Sequence, residues 1–282
     1  MNKALPELSQ ERASVIGKIK QYEKLGGDYF FCDVENDPPS KTLMPSDVDY
    51  LYKKIGSKAK ATVARLIEFI GARSIIKAHD IELLGKENVS GITGGAIITS
   101  NHFNKFENLG PKLVCKAMPG RHRFWRVIRE GNYFIPGFLG FLLKYCNTLP
   151  ISSNHRTMVN LGRAIETVLS HGDCVLVYPE QAMWYNYKKP RKYRIGAYYY
   201  AAKNNVPVIP CFTTLSELGG YDSDGYPNIK YTVHIMPPIY PDPELSYNEN
   251  AEKMLTKNFE LCKNKYEEVY KIPLTYGEDE EQ

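Results

Sequence analysis

From about residue 80 onward the chain keeps changing its hydrophobic period, and that alternation restricts the fold more than any other feature. Residues 96–99, "AIIT", are a short apolar run of the kind a buried strand needs. Met158, Leu161, Ile165, Val168 and Leu169 then recur at the spacing of one helix face, and Gly172 is placed to end that helix. A strand at 174–178 follows at once. A helix over 195–203 leads through "NN" into a strand at 206–212; "DSDGYP" reads as a turn, and 231–236 as a further strand. Short strands alternating with helices predict an α/β fold over 75–272, with a mixed central sheet flanked by helices.

The flanks read differently. Residues 1–74 form an N-terminal helical segment, in which Val63, Leu66, Ile67 and Ile70 recur at helix spacing after an irregular loop containing "NDPPS". Residues 251–270 are expected as a surface helix with Met254, Leu255, Phe259, Cys262, Tyr266 and Val269 turned inward. Residues 273–282, ending in "GEDEEQ", are expected as a disordered acidic tail.

Bulk composition narrows the partners. A formal net charge of +4 over 282 residues is a mild basic excess. It does not indicate nucleic acid and is compatible with anionic lipid or an acidic carrier. The six cysteines are scattered with no Cys-x-x-Cys, as expected of reduced core residues in a cytoplasmic protein. Residues 1–9 lack the apolar core of a secretory signal, and the longest apolar stretch, "YFIPGFLGFLLKYC" at 133–146, is too short to span a bilayer. Any membrane contact is therefore expected to be peripheral.

Three unusual clusters fall at strand ends, where ligands collect in α/β sheets: "NHFNKFE" after 96–99, "YPEQAMW" after the second strand, and "PC" after 206–209. His102 with Glu107 can act as a base held by a carboxylate, since an acceptor on one imidazole nitrogen fixes the tautomer and stabilises the imidazolium. The spacing works if His102 sits in a turn and Glu107 on the first turns of a following helix. No third and fourth metal ligands accompany the pair, so no metal is expected. His155 reads as a helix-start residue, His234 as a partnered strand residue, and His122 in "GRHRFWR" as a surface group that could touch headgroups or an acidic carrier protein.

Together "NHFNKFE", "LPISSN", "VYPEQ" and "VPVIP" resemble, in order and approximate distance, the four motifs of the glycerophospholipid acyltransferases, which include the lysophosphatidic acid acyltransferases. The resemblance spans roughly residues 80–215. It implies that 75–272 is an acyltransferase domain with His102 as general base and Glu107 orienting it. It also implies that Asn101, Pro179, Glu180 and Gln181 help bind substrate, Glu180 orienting the acceptor head. The implied reaction moves a fatty acyl group from acyl-CoA or acyl-carrier protein, as co-substrate and with no further cofactor, to the hydroxyl of a lysophospholipid or glycerol-phosphate. Partners would then include an anionic membrane surface. A non-catalytic lipid-binding or scaffold protein on the same fold, and an acyl hydrolase, are the alternatives.

The chain departs from the family pattern where that pattern carries charge. Glu107 stands in place of an Asp, Ser152–Ser153 in place of Asp-Arg, and Gln181–Ala182–Met183 in place of Gly-Thr-Arg. Both family arginines that hold the acceptor phosphate are missing. Arg156, and Lys188, Lys189, Arg191 and Arg194 of "YKKPRKYR", are the expected replacements, since an arginine fork binds two phosphate oxygens at once; a solvated or headgroup-contacting basic loop is the alternative. "YFIPGFLGFLLKYC" is the candidate acyl channel or a buried core helix. Trp184 and Tyr185, Tyr187, Tyr198, Tyr199 and Tyr200 are candidates for a lipid boundary or for core packing.

Overall fold

The structure, a computed structural model, describes residues 9–35 and 41–277. The "NDPPS" loop, residues 1–8 and the last five acidic-tail residues lie outside that description.

A seven-stranded sheet organises the chain. Its strands are β1 (Glu82–Leu84), β2 (Ala96–Thr99), β3 (Phe124–Ile128), β4 (Thr148–Pro150), β5 (Cys174–Val177), β6 (Val208–Tyr221) and β7 (Pro227–Ile235), in the spatial order β1-β7-β6-β2-β5-β3-β4. β6, β2, β5, β3 and β4 run parallel, and β7 is antiparallel to β6 with β1 parallel to β7, so the sheet is mixed as expected. The four residues of β2 are all buried because the strand is central and covered on both faces. Ile97 packs with Leu161, Ile165 and Val168 on one face, and Ile98 with Val114, Cys115 and Met118 on the other, the period-two alternation of a strand.

Helices cover the sheet: α1 (Gln10–Leu25), α2 (Ile55–Ala78), α3 (Leu109–Ala117), α4 (Glu130–Tyr133), α5 (Gly137–Tyr145), α6 (His155–Ser170), α7 (Gly196–Lys203) and α8 (Tyr247–Tyr270). α6 starts where Asn154 caps it by accepting from Thr157 N at 3.0 Å. α8 starts on a capping box of Ser246 and Glu249. Its Met254, Cys262 and Tyr266 are buried, whereas Val269 is exposed. A hydrogen bond of 2.6 Å from Thr99 Oγ1 to Asn258 Oδ1 ties α8 to the end of β2.

Several expectations change. "GRHRFWR" is no surface patch: Phe124 and Trp125 are buried in β3, and His122 Nε2 lies 2.7 Å from the Pro119 carbonyl. In sequence the apolar pair is masked by Arg121, His122 and Arg123 just before the strand and by Arg126 within it. The stretch 133–146 is not a core helix but α4 and α5, and Phe138 and Leu139 face solvent. The 273–282 tail is ordered as far as it is described. Tyr276 bonds the Pro190 carbonyl at 2.5 Å and packs on Phe30 at 4.8 Å, and Leu274 N reaches Glu267 at 2.9 Å. The apolar stripe of α2 is exposed, and small residues, Ala61, Ala64 and Ala72, fill its buried face.

Candidate active site

Parallel strands bring their carboxyl ends to one edge of the sheet. β2, β5, β3 and β4 are neighbours, so the segments after them, 100–107, 178–184, 129–130 and 151–153, lie side by side. That topology, and not sequence proximity, assembles the first three motifs.

His102 follows β2, and its side chain is 21% exposed. Its Nδ1 contacts Glu107 Oε1. The other carboxylate oxygen of Glu107 accepts from Phe103 N and from Asn104 N. Glu107 is buried. Three donors therefore compensate a carboxylate removed from water. Glu107 does not sit on the first turns of a helix, as the spacing suggested, but in the turn ahead of α3, which begins at Leu109. The tight turn lets a side chain one methylene longer than Asp reach the imidazole.

The ring is fixed from a second side. Tyr178, at the end of β5, stacks on His102 with centroids 4.0 Å apart and planes 6° from parallel. Burial, with the charge of Glu107 adding, pushes the Tyr178 hydroxyl well above its ordinary pKa, so it stays protonated. With Nδ1 engaged and the ring clamped, Nε2 is the nitrogen left for a reactant.

Glu180 proves to be part of the frame. It is buried, and its carboxylate accepts from His102 N at 3.0 Å, Arg191 N at 2.9 Å and Arg191 Nη2 at 2.9 Å. An acceptor head has no free oxygen of Glu180 to meet. Arg191 is 0% exposed. Its Nη1 donates to the Phe30 carbonyl at 2.8 Å, its Nη2 also donates to the Ala182 carbonyl, and its guanidinium lies 4.5 Å from the Trp184 ring centre. A basic loop that looks solvated in sequence is thus folded inward, with Arg191 as the counter-charge of the buried Glu180. Lys189 is buried too and pairs with Glu23 of α1 at 2.9 Å. Neither Arg191 nor Lys189 is placed to bind a substrate phosphate.

Asn101 is likewise structural. It clamps β6 through Nδ2 to the Thr213 carbonyl at 3.0 Å and Thr213 N to Oδ1 at 2.8 Å. Pro179 is buried, and its carbonyl accepts from Arg194 N at 2.8 Å. Gln181 is exposed with φ of 64°, where the family pattern has glycine. Lys188 is exposed and 5.9 Å from the Tyr270 ring centre. Arg194 is half exposed, 3.3 Å from Asp28 and over the Phe31 ring. Arg156 is exposed on the first turn of α6, just beyond Ser152 and Ser153. Of the candidate lipid-boundary aromatics, Trp184, Tyr187 and Tyr198 are buried.

Sequence reasoning missed the N-terminal contribution to this site. Phe30, Val34, Val15 and Ile19 pack around Trp184, and Trp184 Nε1 donates to the Cys32 carbonyl at 3.0 Å. The only signal was Trp184 itself, an indole that needs a buried acceptor. Among the described residues no group of three or more His, Cys, Asp or Glu side chains could hold a metal ion.

Residues 80–214 match the Acyltransferase family model, the stretch on which the motif resemblance also falls. The fold is similar to that of the 1-acyl-sn-glycerophosphate (LPA) acyltransferase PlsC from Thermotoga maritima, with a TM-score of 0.51 and 22% identity over 80% of this chain and 87% of that one. No curated protein matches the chain.

Proposed function

Starting from a chain whose residues 80–214 match the Acyltransferase family model, we propose that it esterifies the hydroxyl of a lysophospholipid or glycerol-phosphate with an acyl group from acyl-CoA or acyl-carrier protein. The observation that carries this reading is the His102 Nδ1–Glu107 contact at the end of β2, with Nε2 left for a reactant. His102 Nε2 takes the proton of the acceptor hydroxyl as its oxygen attacks the thioester carbonyl. Glu107 holds Nδ1–H and stabilises the imidazolium that forms. The tetrahedral adduct collapses to the ester, and the departing thiolate takes the proton back from His102. Such a base contributes about 10²–10⁴-fold. The weak nucleophile is the alcohol, so the proton is the problem to be solved, and no covalent enzyme intermediate is required.

With Arg191 and Lys189 built into the interior, Arg194 is the basic residue that best fits the acceptor phosphate. Its backbone is tied to Pro179 and its guanidinium is half exposed, held by a single surface carboxylate, Asp28. A phosphate competes well against an exposed ion pair of that kind.

The test is lipid mass spectrometry after incubation with a mixed lysolipid panel and one acyl-CoA. A new diacyl species made by the wild type and absent with His102→Ala supports the reading. Free fatty acid with no acylated lipid would make the protein a hydrolase, and no turnover of any lipid would leave a binding protein.

A further inference from the structure

The outer surface of α2 is built the wrong way round for contact with water. Within Ile55–Ala78 the buried positions are Ala61, Ala64 and Ala72, while Ile55, Val63, Leu66, Phe69 and Ile70 are 51–88% exposed. At 100° per residue, Ile55, Val63, Leu66 and Ile70 fall on one stripe, opposite the alanines. α5 adds Phe138 and Leu139, and its only buried residue is Gly140. The two helices adjoin: Lys60 Nζ lies 5.5 Å from the centre of the Tyr145 ring. Scattered exposed apolar residues need no explanation, but seven large ones on two adjoining helices do.

Charge says what covers this face. Lys53 and Lys54 lie just before the helix and Lys58 on its first turn, while Arg73 and Lys77 fall on the outward stripe at its far end, and all five are exposed. α2 has one acid, Glu68, and it points inward to Lys112 at 2.6 Å and to Arg126 at 2.5 Å; α5 has none. An apolar stripe bounded by cations, with its only carboxylate withdrawn, matches an anionic bilayer, whose headgroups attract lysine and whose acyl region accepts leucine and phenylalanine.

We propose that the α2–α5 face is the surface by which this protein docks on anionic membranes. In the aromatic-basic segments that the sequence suggested for that role, the large aromatics Phe124, Trp125, Trp184 and Tyr187 are buried instead. The inward side of the same helix supports the catalytic turn. Lys112, the partner of Glu68, lies on α3, Arg126 Nη1 donates to Asn108 at 2.9 Å, and the His79 ring at the end of α2 lies 6.3 Å from Phe106. A lipid acceptor leaving the bilayer would therefore arrive beside His102. This placement rests on the proposed function, whereas the docking itself does not.

Flotation with phosphatidylcholine vesicles, with and without phosphatidylglycerol and in low and high salt, tests the proposal in the absence of any acyl donor. The wild type should float with the anionic vesicles, and salt should weaken binding. The double change Leu66→Asp with Ile70→Asp should lower the partition coefficient more than tenfold while far-ultraviolet circular dichroism stays unchanged, as should Lys53→Glu with Lys54→Glu and Lys58→Glu. Should the aspartate pair disturb folding, Phe138→Trp in the otherwise native chain gives an independent reading: its emission should shift to the blue on adding anionic vesicles. Undiminished flotation of a folded aspartate variant, or unchanged emission from the introduced tryptophan, overturns the proposal. So does sedimentation equilibrium showing a dimer that the aspartate pair dissociates, because the face would then belong to a second copy. An active enzyme that ignores vesicles would keep the acyltransferase reading and lose this one. A vesicle-binding protein without turnover would do the reverse.

Discussion

Arg191 gives the sharpest contrast between a residue that binds substrate and one that holds the site together. Arg191→Ala removes the counter-charge of Glu180 at 2.9 Å, the donors to the Phe30 and Ala182 carbonyls, and the packing on Trp184. Glu180 keeps two backbone donors, His102 N and residue 191 N, so its carboxylate is only partly stranded. Breaking a buried pair by removing one partner costs about 3–5 kcal/mol. At about 2–4 °C per kcal/mol for a chain approaching this size, the midpoint should fall by about 6–20 °C. Thermal unfolding followed by circular dichroism measures it. A paired change, Glu180→Gln with Arg191→Met, should cost less than the two single changes summed, because no charge is left alone. An Arg191→Ala protein of wild-type stability whose KM for a phosphorylated acceptor alone is raised would refute this argument and return Arg191 to the substrate.

Other residues give independent checks. Glu107→Gln keeps shape but loses the charge that stabilises imidazolium, and kcat should fall by orders of magnitude at neutral pH with little change in KM; an unaltered pH–rate profile would dissolve the pairing. Gln181→Gly should stabilise the fold, since a left-handed φ costs a non-glycine residue about 1–2 kcal/mol, offset by the added freedom of the unfolded chain; a lower urea midpoint would contradict it. His234 faces Thr214 at 2.9 Å, with Lys265, Glu268 and Glu82 around it. Burial, helped by Lys265, holds its pKa below the usual 6.5. The unfolded chain binds that proton first, so stability should decline as pH falls from about 6.5 towards the lower folded value. His234→Gln should flatten that part of the profile.

What the sequence made legible was what short-range patterning specifies. The buried runs of β2 and β5 and the face of α6 lie where their periods place them, because each meets one environment along its length. β3 stayed hidden because Arg121, Arg123, Arg126 and His122 break the apolar run around Phe124 and Trp125. β6 runs on to Tyr221, past the predicted end at 212, because its far half pairs with β7 as an exposed hairpin with no apolar alternation to mark it. His102 and Glu107 could be read as a pair because they are five residues apart. Glu180 and Arg191 could not, because the pairing depends on Trp184, Phe30 and α1 closing over them. The stripe of α2 was legible as helical but not as exposed, since periodicity finds a face and not what lies against it.

The central claim is that His102 passes a proton from an acceptor hydroxyl during acyl transfer from a thioester. Continuous measurement of free thiol released from acyl-CoA, with and without a lysophospholipid, addresses it most directly. The account predicts release that depends on the acceptor in the wild-type protein and falls to background in a folded His102→Ala variant. Thiol release that continues at the wild-type, acceptor-dependent rate without the imidazole would contradict it.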